Sequence, residues 1–235
     1  MSIASNPLML LRRGIIVSCQ AGPESPLNAA HFIAALAQSA QMGGAAGFRV
    51  DRPENVAAVR AISHKPIIGI NKQPSHDWDV YITPTFASAR AVVEAGATIV
   101  ALDATDRPRP EPLPELIGRI HNELKVPVMA DIGNVREALH AEALGADVIA
   151  STLVSTPPYG QPKAGPGFAV IQELVQKLRV PLIVEGQLWS PEDVRHCYEL
   201  GVHSVVIGSA ITVPQFITAR FVQAIPHEPA ELEPA

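Results

Sequence analysis

The segment VPLIVEGQLWSPEDVRHCYELGVHSVVIGSA, residues 180–210, holds one complete strand–helix–strand unit, and its reading decides the fold. Two short runs, PLIV at 181–184 and SVVI at 204–207, are apolar throughout. Parallel strands buried on both faces require that pattern. Between them stands Ser190-Pro191-Glu192-Asp193. Ser at the N-cap can accept an orphan backbone N–H, Pro suits the first helical position, and acids there complement the helix dipole. The unit therefore reads β–α–β with a parallel pair.

Outward from this segment the unit recurs. A small-residue turn leading into a strand appears as GGAAGFRV from Gly43, AGATIVALD from Ala95, LGADVIAST from Leu144 and LGVHSVVIG from Leu200. It alternates with Pro-initiated strands: KPIIGINK from Lys65, VPVMADI from Val126 and VPLIVEG from Val180. Pro is tolerated there because the ladder has not yet begun. Gly44, Gly96, Gly145 and Gly201 lie about fifty residues apart, the length of two βα units. Strands are expected near 14–20, 45–50, 66–72, 98–104, 127–132, 147–153, 181–187 and 204–209. Helices are expected between them, among them 27–41 and one starting with Pro53 at its first position after Arg52. Eight such units without a doubly wound glycine fingerprint predict a single-domain (β/α)8 TIM barrel over residues 1–225. The Pro- and Glu-rich end, 226–235, reads as a flexible tail.

Composition narrows the function classes. The chain has 235 residues, 47% of them hydrophobic, and a net charge of −5 without a basic block. Nucleic-acid binding is not expected. No apolar stretch approaches the roughly 20 residues of a membrane span, and the start, MSIASNPLMLLRRG, does not read as a signal peptide. Cys19 and Cys197 fit no metal or redox spacing and read as buried reduced thiols, in keeping with a cytoplasmic protein.

Active sites of this barrel type sit at the C-terminal ends of the strands. Those ends carry Ser18 and Gln20, Arg49, Asn71 and Lys72, Asp103 and Thr105, Asp131, Ser151 and Thr152, Glu185, and Gly208 with Ser209. The N-terminal ends show no matching set of charges. A barrel mouth can be polar for solvation alone, but charges of both signs from five strands exceed that need. Gly186, Gly208 and Ser209, after strands 7 and 8, are candidates for a phosphate cradle. Strands 3 and 7 stand on opposite walls, so Lys72 and Glu185 would meet a ligand from two sides. Burial would raise the pKa of Glu185 and lower that of Lys72, while their attraction opposes both shifts. The eight histidines are scattered and none ends a strand beside a carboxylate. Proton transfer at carbon without a metal is therefore favoured. The Pro- and Gly-rich segment 155–167 reads as a lid.

These residues carry a family resemblance. IIVSCQA at 15–21, GFRV at 47–50, PIIGINK at 66–72, YITPT at 81–85, ALDAT at 101–105, MADI at 129–132, VEG at 184–186 and GSAITVPQ at 208–215 together resemble bacterial N-acetylmannosamine-6-phosphate 2-epimerase. The likeness runs from about Gly14 to Ile225. It implies interconversion of N-acetylmannosamine 6-phosphate and N-acetylglucosamine 6-phosphate in sialic acid breakdown, with no cofactor. It places the catalytic pair on Lys72 and Glu185, and substrate contacts on Gln20, Arg49 and Asp131. Asp103 and Thr152 join the substrate set from their strand ends. Arg49 would then stabilise the enolate oxygen, and Asp131 would orient a hydroxyl or Lys72. The resemblance leaves room for a homodimer.

Two departures concern the phosphate end. Where the family has arginine after strands 7 and 8, this chain has Gln187 and Val213, and its strand-8 GG is GS. Either Arg12, Arg13, Lys163 or Arg220 replaces the missing cations, or the substrate differs. Two other functions stay open at this level: a Schiff-base lyase or aldolase using Lys72, and a sugar-phosphate binder without catalysis.

Overall fold

The computed structural model describes residues 6–154, 156 and 165–226. Eight parallel strands pair in chain order and close into a barrel, β8 beside β1. They are β1 Ile15–Cys19, β2 Gly47–Asp51, β3 Ile67–Ile70, β4 Ile99–Asp103, β5 Val128–Asp131, β6 Val148–Ala150, β7 Leu182–Glu185 and β8 Ser204–Ile207. Each falls within or beside its expected range. The helices are α1 Pro7–Leu11, α2 Ala30–Met42, α3 Pro53–Ile62, α4 Phe86–Glu94, α5 Leu113–Arg119, α6 Val135–Ala143, α7 Phe168–Lys177, α8 Pro191–Leu200, α9 Ser209–Thr212 and α10 Pro214–Gln223. Most of the lid segment, with Lys163, and the tail beyond Pro226 lie outside the described residues.

Local chemistry sets the helix ends. Ser190 accepts from the Asp193 N–H at 3.1 Å, and the Asp193 carboxylate accepts from the Ser190 N–H at 3.0 Å, a reciprocal cap on α8. Pro53 and Pro191 open α3 and α8. The four repeat glycines, 44, 96, 145 and 201, all have φ between +94° and +111°. They end α2, α4, α6 and α8, where the chain turns left-handed at little cost only with glycine.

Two apolar layers hold the barrel. One lies between sheet and helices, with Phe48, Val50, Ile67, Val100 and Val184 facing Ile33, Val59, Val92 and Leu174. The other fills the barrel, with Ile16, Ile68, Ile70, Ile99, Met129, Val148, Ile183 and Val206. Alternate residues of a strand point the same way. The parity that sends Ile68 and Ile70 inward therefore brings Lys72 to the upper mouth, and Ile183 does the same for Glu185. Leu8 and Leu11 of α1 join the inner layer from below. Gly47 makes room for them: a Cβ there would lie 2.5 Å from Leu11 Cδ2 and 2.8 Å from the Pro66 carbonyl.

Candidate active site

A cavity of about 280 Å³ opens at the C-terminal mouth. Lys72 and Gln20 line one side; Glu185, Gly186 and Gln187 line another; Gly208, Ser209, Thr212 and Val213 form the end beside β8. Lys72, Glu185, Gln20, Gly186, Gly208 and Ser209, all singled out in the sequence, thus share one cavity with Ser18, Gln187 and Val213.

Lys72 is held from both ends. Its backbone N–H donates to Asp51 Oδ1 at 2.9 Å. Its strand end pairs with Ile82 in an antiparallel bridge, because the loop after β3 doubles back over the mouth. Its ammonium donates to Gln20 Oε1 at 2.6 Å, and Gln20 in turn donates to Ser18 Oγ at 2.6 Å. The Lys72 side chain reaches solvent through the open cavity, yet the protein packed around it lowers its pKa by desolvation. Asp51 is the foremost charge opposing that shift.

Glu185 sits at the end of β7, its side chain 15% exposed. Burial raises its pKa to about 7, and the Arg49 guanidinium works against the rise. Arg49 is itself buried and reaches across the barrel. It grips Asp131 through bonds of 2.9 and 2.6 Å and lies 3.0 Å from Glu185 Oε2. Thr152 donates to Asp131 Oδ1 at 2.6 Å and faces Glu185 Oε2 at 3.4 Å. A carboxyl with a pKa near neutrality beside an amine with a lowered one is a pair suited to moving protons at working pH.

The remaining candidates fall elsewhere. Arg49, Asp131 and Thr152 do not line the cavity; they form the support behind Glu185. Asp103 stands apart in its own cluster. It accepts from the Thr105 hydroxyl at 2.6 Å and pairs with Arg107, while Arg109 bonds its carbonyl. Arg12 and Arg13, considered as substitutes at the phosphate end, sit at the opposite rim, before β1. Arg220 is nearer: its guanidinium stacks 4.4 Å from the Trp189 ring centroid, and Trp189 lines the cavity. Three participants were missed. Trp189 and Thr212 lie in loop and helix beyond the strand ends. Asp51 stands one residue past the expected end of β2, and that single-residue shortfall hid it.

Among the described residues no three His, Cys, Asp or Glu side chains converge as a metal site. No described helix is long and apolar enough to cross a membrane.

Comparison with known proteins assigns the family. The pattern of the NanE family, described as "Putative N-acetylmannosamine-6-phosphate epimerase", matches residues 33–227. The chain belongs to the NanE family. Relatives from Clostridioides difficile and Thermosynechococcus vestitus, each described as "Putative N-acetylmannosamine-6-phosphate 2-epimerase", are 43% and 45% identical. Their alignments cover 90% and 92% of this chain and 95% and 94% of theirs. The solved N-acetylmannosamine-6-phosphate 2-epimerase from Clostridium perfringens superposes with a TM-score of 0.90 at 35% identity, over 93% of this chain and 96% of that one. A thiamine phosphate pyrophosphorylase from Pyrococcus furiosus, 15% identical with a TM-score of 0.60, shares the fold with this NanE family member.

Proposed function

We propose that the chain inverts C2 of N-acetylmannosamine 6-phosphate to give N-acetylglucosamine 6-phosphate, using Lys72 and Glu185 to move the proton. The observation that carries this reading is that both groups line one cavity and each has its pKa displaced toward neutrality. The description of the family and of its relatives as N-acetylmannosamine-6-phosphate epimerases supports the substrate class.

In the open-chain sugar, C2–H lies α to the C1 aldehyde. One of the pair takes that proton, the C–H electrons form C1=C2, and the C1 oxygen becomes an enolate. The other returns a proton to the opposite face of C2, and the aldehyde re-forms. Inversion needs a donor and an acceptor on two sides, which β3 and β7 supply. Gln20 steers the Lys72 ammonium. Arg49 was expected on the enolate oxygen; with its guanidinium committed to Asp131 and Glu185, we assign it instead to orienting Glu185. Gly186, Gly208 and Ser209 offer backbone N–H groups to the phosphate. Arg220, beside Trp189, is the cation we assign to that end.

A Schiff base on Lys72 is the competing chemistry. Incubation with N-acetylmannosamine 6-phosphate in D₂O, followed by NMR, separates the two. Epimerisation puts deuterium at C2 of both sugars, with no borohydride-trapped adduct. Trapped Lys72, or turnover without exchange at C2, would overturn the proposal.

We also propose a homodimer acting in the cytoplasm. Phe216, Phe221, Val222 and Ile225 along and just beyond α10 are exposed, Phe221 at 74%, and a second copy would cover them. Sedimentation of the purified chain tests this.

A further inference from the structure

The N-terminal rim of the barrel was read in the sequence as lacking a set of charges, and there the structure differs. Arg12 and Arg13, Arg179 and His203 come from three separate loops, before β1, β7 and β8, so no stretch of sequence shows them together. They line one cavity of about 390 Å³, with Val175, Gly201 and Val202 completing its walls. Their carriers are held in place. Arg13 takes a left-handed φ of +56°, a position after a helix end that usually goes to glycine. Its N–H donates to the His203 carbonyl at 2.7 Å. Its guanidinium rests 5.4 Å from the Tyr198 ring centroid, and the Tyr198 hydroxyl donates to the Gly14 carbonyl at 2.8 Å. His203 Nε2–H donates to the Leu8 carbonyl at 2.8 Å, which fixes the ring at the cleft wall.

None of the three arginines forms an ion pair among the described residues. The nearby Glu142 carboxylate accepts the backbone N–H groups of Arg179 and Val180 on one oxygen, Oε1, at 2.6 and 2.9 Å. Three arginines around one cleft, none in an ion pair among the described residues, stand out in a chain of net charge −5. Guanidinium forks match phosphate oxygens two at a time, and the volume suits a ligand of sugar-phosphate size.

We propose that this cleft is a second anion site, at the opposite end of the barrel from the catalytic cavity, for a small molecule bearing a phosphate or pyrophosphate group. The inference stands independently of the epimerase reading. The probe is pyrophosphate, titrated at fixed ionic strength into protein carrying ¹⁵N-arginine, with side-chain Nε–H signals read by NMR. Signals of Arg13 and Arg179 should move to saturation. The R13Q/R179Q protein should bind at least tenfold more weakly. The single exposed-loop variant R179E, which leaves Arg13 and its backbone contacts untouched, should weaken binding as well. Drift that never saturates, saturation seen only at Arg49 and Arg220, or equal affinity in wild type and the folded variants would overturn the proposal.

Discussion

Arg49 on β2 clamps Asp131 on β5 through two parallel hydrogen bonds, 2.9 and 2.6 Å long, and the same guanidinium meets Glu185 on β7 at 3.0 Å. A single buried cation thus ties three staves of the barrel and holds two carboxylates side by side. Removing Asp131 leaves the buried Arg49 with Glu185 alone, and breaking a buried pair costs about 3–5 kcal/mol. Asp131→Leu should therefore lower thermal stability strongly. The double variant Arg49→Met/Asp131→Leu should recover part of the loss while remaining inactive. Calorimetry on the three proteins checks the ordering.

Removing either member of the proposed reacting pair should cut turnover sharply and spare the fold. Lys72→Met and Glu185→Gln should each reduce kcat by about 10²–10⁴-fold, the usual worth of a positioned acid or base. Circular dichroism should be unchanged, because both side chains end in the cavity rather than in the packed layers.

Glu185 also makes stability depend on pH. Its folded pKa is raised from 4.5 to about 7 by burial. Between those values the native state binds more protons than the unfolded chain, so this group's contribution falls as pH rises through that window. Below it the contribution is fully present; above it the cost of the buried charge is fully felt. Glu185→Gln removes the dependence. Relative to wild type, the variant should gain a few degrees in Tm on going from pH 5 to pH 8. A constant difference across that range would contradict the raised pKa.

The proposed phosphate end supplies a gain-of-affinity test. Gln187 and Val213 line it, and neither carries charge. Val213→Arg should lower KM for the phosphorylated sugar by about tenfold, the worth of one charge-assisted contact, with kcat little changed. Arg220→Gln should raise KM. An opposite response of the two variants in steady-state kinetics would place the phosphate elsewhere.

Gly47 tests the lower half of the barrel. A methyl there would meet the Pro66 carbonyl, which cannot swing aside. Gly47→Ala should cost about 1–3 kcal/mol by overpacking, seen as a lower Tm with kcat preserved in the folded fraction.

The barrel was legible in the sequence because its signals are local. Apolar strand runs, Ser190 with Pro191, and the glycines at 44, 96, 145 and 201 each act within one turn of chain. The pairing of Lys72 with Glu185 was legible too, since strand count alone puts β3 opposite β7. What stayed hidden depends on distance and on partners. The grip of Arg49 on Asp131 joins residues 82 positions apart in the chain, and neither position alone shows it. Asp103 looked equivalent to Asp131, yet Arg107, four residues on, draws it into another cluster. The cationic rim was invisible because its members come from loops far apart in the chain.

The plug formed by Leu8 and Leu11 has a kinetic consequence. With the lower end sealed by packed side chains, sugar enters and leaves by one doorway. Product must depart before the next molecule arrives, so accumulated product competes with incoming sugar, and the net flow through this enzyme follows whichever neighbouring step drains the pool.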